Sequence, residues 1–139
     1  MPRLTDVRLV YASTIEVTFS TSVPLAVACD TAVLQVTDAR SGSQLALRIE
    51  RGLVVDYSLW DSARRLRQGL PATDVEVSGR TVTCVFPRML VPVSLGTTHL
   101  SASLIVNGAP MTRVPVRLEA HAVQRGVRGQ NPVLEVRQG

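Results

Sequence analysis

The sequence contains no lysine, so all 15 of its basic residues are arginine. A G+C-rich genome explains this composition, and so does selection of arginine for bidentate contacts to carboxylate or phosphate. The net charge of +4 is uneven: residues 1–60 carry five arginines and six acids, and residues 61–139 carry ten and five. No basic run has the interleaved aromatic residues that single-stranded nucleic acid requires. We therefore expect an acidic protein partner and no nucleic acid.

Long apolar runs and a signal sequence are also missing. No apolar stretch approaches the ~18–20 residues that a membrane span needs. The first six residues contain no apolar segment of the signal-peptide kind. We therefore expect a chain that is made in a host cytoplasm and enters no membrane. The two cysteines, Cys29 and Cys84, lie far apart in apolar surroundings, which favours buried free thiols over a disulfide.

Motifs of catalysis and metal binding are absent as well. The sequence has no Gly-x-Ser-x-Gly, no Cys-x-x-Cys and no glycine-rich phosphate loop. His99 and His121 fall on different predicted strands. Asp74 and Glu76 share a strand face and could bind Ca²⁺ or act as an acid–base pair, but without further oxygens nearby a solvated face fits better. We therefore expect no enzyme activity, no cofactor and no metal.

The residues that are present alternate with a period of two. Only 4% of residues are aromatic against 45% hydrophobic, so the core must be built from aliphatic side chains. Alternation is clean in three runs: Thr14 to Ser20, Gln44 to Glu50, and His99 to Val106. Asn107-Gly108 predicts a type I′ hairpin turn. Because Pro110 and Pro115 cannot donate ladder hydrogen bonds, the strand after this turn should be an edge strand or carry a bulge.

One segment has helical spacing. Leu59, Ala63, Leu66 and Leu70 recur at intervals of three to four residues, which predicts a short helix over Ser58–Gln68. Arg64, Arg65 and Arg67 would gather at its C-terminal end, where the helix dipole favours cations. They would form either a solvated helix end or a patch that binds a partner. About eight strands and one such helix predict an all-β fold, an antiparallel β-sandwich of immunoglobulin-like or jelly-roll-like type.

The last sixteen residues lack periodicity. We therefore predict a sandwich domain over residues 1–123 and an extended C-terminal arm over 124–139. The arm either folds back on its own domain or adds a strand to a neighbour's sheet edge. Its candidate partner-binding residues are basic or apolar: Arg125, Arg128, Val133, Leu134, Val136 and Arg137.

Two stretches resemble bacterial immunoglobulin-like modules. Ala12–Pro24 is similar to their opening strand, in which alternating valines and a phenylalanine lead to a proline. Leu95–Leu104 is similar to a late strand that begins with Gly-Thr, although His99-Leu100 stands where an aromatic residue is expected. The overall plan also resembles small β-rich phage virion proteins. That resemblance implies a structural role in a virion and transfers no site residue.

Three functional hypotheses follow. The first is a capsid decoration (cement) protein that bridges shell subunits through its terminal segments and a sheet edge. The second is an immunoglobulin-like adaptor or ring component of a phage tail, baseplate or contractile injection machine. The third is a carbohydrate-binding module, for which Trp60 beside Asp61 is the one aromatic–acid pairing that could begin a sugar platform. The alternative for Trp60 is a core-capping residue at the start of the predicted helix. The first two hypotheses imply protein partners and a homo-oligomer or symmetric assembly.

Overall fold

Two β-sheets make up the structure, a computed structural model that describes residues 1–90 and 99–120. The predicted arm, residues 124–139, lies outside the described residues, as does the predicted end of the domain at residue 123. The strands are β1 Leu4–Tyr11, β2 Thr14–Thr21, β3 Thr31–Asp38, β4 Gln44–Glu50, β5 Leu53–Asp61, β6 Leu66–Gly69, β7 Val75–Ser78, β8 Thr81–Pro87, β9 Leu100–Val106, β10 Ala109–Pro115 and β11 Arg117–Ala120. One α-helical turn, α1 (Leu25–Ala28), and 3₁₀ turns at Ala72–Asp74 and Arg88–Leu90 complete the described elements.

The strand order confirms the predicted all-β sandwich. One sheet has the order β11-β1-β2-β8-β7 and the other β10-β9-β3-β4-β5-β6. All pairings are antiparallel except that of β11 with β1. The described residues contain eleven strands where about eight were expected, because β5 and β6 occupy the region of the predicted helix and the last predicted strand is divided into β10 and β11.

The core lies between the sheets, where the alternating apolar positions of both sheets meet. Each predicted run contributes its inward face, and the largest side chains buried there include Phe19 and Phe86. Tyr57 is also buried, and its hydroxyl donates a hydrogen bond to the Val85 carbonyl oxygen at 3.0 Å. Because β5 and β8 belong to different sheets, this bond joins the two layers. Cys84 is buried beside it, and Cys84 and Cys29 are free thiols, as expected.

The hairpin at Asn107-Gly108 is confirmed. Asn107 and Gly108 have φ angles of 48° and 84°, as a type I′ turn requires, and Ala109 pairs with Val106. The strand that follows, β10, lies at the edge of its sheet and has a register shift between Pro110 and Thr112. Both features that the prolines predicted for this strand are present.

Chain crossings between the sheets bridge both flanks of the sandwich. On one flank the chain leaves β6, turns through Ala72–Asp74 and enters β7 of the other sheet. On the other flank β10 passes directly into β11. There Arg117 holds β11 against β1 with a bidentate ion pair to Asp6, in which Nε and Nη2 each lie 2.8 Å from a carboxylate oxygen.

The helix predicted over Ser58–Gln68 is wrong. This segment is the end of β5, a turn and β6, which pair as a hairpin from Ser58↔Gly69 to Asp61↔Leu66. Leu59 points into the core, but Ala63 and Leu66 are exposed, so the apparent helical stripe has no common face. Pairing of β5 with β4 along its whole length outweighs the helical spacing of a short apolar run.

Candidate functional site: an open sheet edge

The first half of β5 has an unpaired side. Strand β4 covers one side of β5 throughout, whereas β6 covers the other side only from Ser58 to Asp61. The Leu70 N–H extends this cover by one bond to the Tyr57 carbonyl oxygen at 2.8 Å. Among the described residues, no strand pairs with the outer side of Leu53–Asp56, which we call the open β5 edge.

The hairpin between β4 and β5 determines how this edge is presented. Arg51 and Gly52 have φ angles of 51° and 83°, and Glu50 pairs with Leu53 across a two-residue turn. The pair that closes such a turn exchanges hydrogen bonds, so the next residue, Val54, directs its N–H and C=O toward the open side. These peptide groups are the kind that an added strand engages.

A bulge exposes apolar side chains along the same edge. Asp56 pairs with Arg48 and Val54 with Ile49, so Val55 is an extra residue opposite this step of β4. Val55 is 51% exposed and Leu53 71% exposed. With Asp30, Thr31, Glu50 and Arg51, these two side chains line a shallow groove of about 360 Å³. The open edge therefore combines unpaired backbone with apolar surface.

The helical turn α1 extends this apolar surface. A Cβ atom at Gly52 would lie 3.1 Å from the Cβ atom of Ala26, which places α1 directly against the β4–β5 turn. Val27 in α1 is 83% exposed. A second shallow groove, lined by residues 26–30 with Arg51 and Asn107, shares Asp30 and Arg51 with the groove along β5. The two grooves therefore form one continuous surface at this end of the sandwich.

The other described edges are protected against strand addition. Edge strands are commonly blunted by proline, bulges, charge or short length. Strand β10 carries two prolines and a bulge, and β11 is a four-residue strand with Arg117 and Glu119 in ion pairs. Strands β6 and β7 also have four residues each and carry Arg67 and Glu76. The open β5 edge has a bulge at Val55 and the charged Asp56, but it carries no proline and exposes Leu53 and Val55 beside its unpaired peptide groups.

The three arginines predicted at a helix end lie instead on the β5–β6 hairpin. Arg64 is in the turn, and its Nε donates to Asp61 Oδ2 at 2.9 Å. Arg67 on β6 forms an ion pair with Asp56 and donates from Nε to Ser58 Oγ at 3.2 Å. Arg65 has a φ of 53° and makes no ion pair with a residue that the structure describes. Two of the three guanidinium groups therefore bind acids of their own hairpin.

The remaining candidate residues do not come together. Arg125, Arg128, Val133, Leu134, Val136 and Arg137 lie outside the described residues, as does His121. Trp60 is the next-to-last residue of β5, so its predicted position at a helix start is wrong. It is half-buried opposite Arg67 and Gln44.

Asp61 is not available to support a sugar platform beside Trp60. It is buried, and its carboxylate accepts hydrogen bonds from the backbone N–H groups of Ala63 and Arg64 at 3.0 and 3.3 Å. The Asp61 carboxylate therefore stabilises the turn instead of forming a sugar-binding platform with Trp60.

The candidate catalytic and metal-binding residues among the described ones offer little chemistry. His99, Asp74 and Glu76 are exposed, and no group of three or more potential ligands that could hold a metal ion occurs within residues 1–90 and 99–120. Burial raises the pKa of the Cys84 thiol to about 12, so it remains protonated near neutral pH. No helix in the described part of the chain is long and apolar enough to cross a membrane.

Sequence reasoning missed Leu53, Val55 and Val27. Residues 53–55 looked like an ordinary continuation of the preceding strand. The available signal was the pair Arg51-Gly52, a two-residue turn followed by three apolar residues without alternation. What the sequence could not show is the length of β6, which leaves this half of β5 unpaired.

Comparisons with known proteins give no relative. No protein-family model matches the chain, and searches of curated proteins and of solved structures find no match either. The resemblance to immunoglobulin-like modules and phage virion proteins therefore remains a prediction.

Proposed function

We propose that this chain is a non-enzymatic structural protein that binds other protein subunits, and that it serves as a phage capsid decoration protein. The observation that carries the proposal is the open β5 edge. Its unpaired peptide groups and exposed Leu53 and Val55 match the requirements of binding by strand addition. An exposed apolar strand edge is a liability in a protein that remains alone in solution.

The rest of the described fold supports a rigid adaptor. Both flanks are bridged by crossings between the sheets, and the Tyr57–Val85 hydrogen bond joins the layers through the core. Such a module can present one edge in a fixed orientation. On a symmetric shell, many copies of a weak contact provide avidity that one contact lacks.

Unpaired arginines support an acidic protein partner. Arginines form bidentate bonds with carboxylates and are less strongly hydrated than lysines, which suits them to interfaces. A set of exposed arginines makes no ion pair with any residue of 1–90 or 99–120: Arg3, Arg40, Arg51, Arg65, Arg80, Arg88 and Arg113. Arg51 lies in the turn that begins the open β5 edge, so charge and apolar surface adjoin there.

Co-sedimentation with capsid shells tests this function. Shells are assembled from the major capsid protein encoded in the same genome and mixed with the wild-type chain, Val55→Lys or Met89→Lys. Met89 is 88% exposed on the 3₁₀ turn after β8 and is the matched control. We expect the wild type and Met89→Lys to sediment with shells. We expect Val55→Lys to bind at least about tenfold more weakly, because a lysine on an edge strand opposes pairing.

Two results would contradict the proposal. One is that wild-type protein stays in the supernatant at every shell concentration. The other is that all three proteins bind equally, which would place the contact away from the open β5 edge. Circular dichroism and the unfolding temperature of each variant show whether the fold itself is unchanged.

A further inference from the structure

We propose that the open β5 edge receives residues 133–137 of a second copy of this chain, which add as a strand beside Leu53–Asp56. The proposal rests on the proposed function, because it uses the same edge as the docking surface. It goes further by naming a second copy as the occupant of this edge when no shell is present. Three observations carry it: the exit point of the chain, its reach and the composition of the segment.

The chain leaves the described structure on the flank opposite the open edge. Its last described strand, β11, is at one end of the order β11-β1-β2-β8-β7. The open edge belongs to the other flank, where β5 and β6 lie at the end of the six-stranded sheet. Four interstrand spacings of ~4.8 Å separate the outer strands of a five-stranded sheet, which is roughly 19 Å.

The exit point and the open edge also lie toward opposite ends of the sandwich. Ala120 pairs with Tyr11 next to the β1–β2 turn, whereas Leu53 follows the β4–β5 turn at the other end. Crossing a strand of eight residues adds roughly 26 Å along the strand direction. Residues 121–132 span at most roughly 40 Å when fully extended. These residues would use most of that length to reach the β5 edge of their own chain. The path is shorter if a neighbouring copy presents its β5 edge beside β11.

The segment's composition fits the edge. Val133, Leu134 and Val136 are the apolar residues of an otherwise polar stretch, and valine favours extended structure. The edge offers Leu53 and Val55 with unpaired peptide groups between them. Adding the segment as a strand would remove the apolar side chains of both partners from water.

A contact of this kind joins two different surfaces of the chain. Such contacts produce closed rings, open chains of subunits or, where two copies exchange segments reciprocally, twofold dimers. Each copy donates one segment and accepts one segment. A copy with a damaged edge can therefore still donate, and a copy with a damaged segment can still accept.

This asymmetry gives a complementation experiment. Val55→Lys blocks the edge and Leu134→Lys blocks the segment, both in the full-length chain. Masses are measured by size-exclusion chromatography with light scattering. We expect the wild type and the control Met89→Lys to form assemblies, and each blocked variant alone to have the mass of one chain. We expect an equimolar mixture of the two blocked variants to form a dimer with one copy of each, and nothing larger.

Three outcomes would overturn the proposal: a single-chain mass for the wild type across the accessible concentration range, assembly by either blocked variant alone, or a mixture that remains at the mass of one chain. The unfolding temperature of each variant shows whether lost assembly results from misfolding or from loss of the contact.

Shell binding separates this proposal from the proposed function. If the wild type has the mass of one chain but Val55→Lys loses shell binding, the second-copy proposal fails and the shell is the occupant. If the blocked variants complement each other but no variant binds shells, the second-copy proposal stands and decoration fails.

Discussion

Replacing Tyr57 by phenylalanine removes the hydroxyl that joins the two sheets and changes little else. Tyr57 is 2% exposed, and its hydroxyl donates to the Val85 carbonyl oxygen at 3.0 Å. The ring of phenylalanine fills the same volume, so no large cavity results. The substitution therefore removes the bond to Val85, together with the contact of the hydroxyl with the Cys84 side chain, and leaves the packing largely unchanged.

The size of the effect follows from where the bond lies. A typical intramolecular hydrogen bond contributes about 1 kcal/mol net, and a buried carbonyl left without a partner costs about 1–3 kcal/mol. Val85 is half-buried, so water reaches part of its surface. We therefore expect Tyr57→Phe to lower the free energy of unfolding by about 1–2 kcal/mol. For a chain of this size the unfolding temperature should fall by about 3–8 °C.

Thermal and urea unfolding measure this loss, with Tyr11→Phe as the matched control. Tyr11 is half-buried, and its hydroxyl makes no hydrogen bond with a described residue, so its loss should change stability by less than about 0.5 kcal/mol. Equal stability of Tyr57→Phe and Tyr11→Phe would refute the role of the Tyr57 hydroxyl in joining the sheets.

Two further predictions concern alkaline pH and the β4–β5 turn. Burial raises the pKa of Cys84 from 9.0 to about 12 and raises that of Tyr57 above its ordinary value of 10.0. As the pH rises, the unfolded chain therefore loses these protons at a lower pH than the folded chain does. The contribution of these two groups to stability should be constant below about pH 9 and fall above it, by up to about 1.4 kcal/mol per pH unit for each group. The decline should be shallower in Tyr57→Phe than in the wild type. An equal decline in the two proteins would contradict the assignment of part of this pH dependence to Tyr57. Separately, Gly52 and Gly42 both have a φ of 83°, but only at Gly52 would a Cβ meet a neighbour, Ala26 Cβ at 3.1 Å. Both Gly→Ala variants should lose about 1 kcal/mol through the left-handed backbone, and urea unfolding should show a larger loss for Gly52→Ala. Equal losses in the free energy of unfolding would show that α1 moves away from the added Cβ at no cost in stability.

The sheets could be predicted because their signals are local. The alternation of Ile15, Val17 and Phe19 determines which side chains face the core, and the structure buries all three. Asn107-Gly108 specifies its own turn, and the prolines of β10 restrict that strand to an edge with a bulge. In each case the decisive interactions lie within a few residues of the signal.

The failures involve interactions between distant residues. Leu59, Leu66 and Leu70 satisfy helical spacing, but pairing with β4 determines the conformation of β5. The arginines that seemed to gather at a helix end are instead distributed along a hairpin, where Arg64 and Arg67 bind nearby acids. Periodicity alone cannot separate these alternatives in a short segment.

The open β5 edge could not be predicted for a similar reason. Whether Leu53 and Val55 are covered depends on where β6 ends and on the crossing of the chain to β7. Neither property is encoded near residues 53–55. The phage-virion role and the contribution of the arm remain predictions that experiments on the whole chain can test.

Amide hydrogen exchange at the open β5 edge tests the central claim most directly. Exchange is compared between isolated Leu134→Lys, in which no segment of a second copy should cover the edge, and the same variant bound to capsid shells, with β7 (Val75–Ser78) as a control edge strand. If a partner strand adds to the open edge, the amide of Val54 should exchange quickly in the isolated chain and much more slowly in the complex, while β7 should not change. Unchanged exchange of Leu53–Asp56 in a complex that demonstrably forms would contradict the account, because the partner would then bind elsewhere.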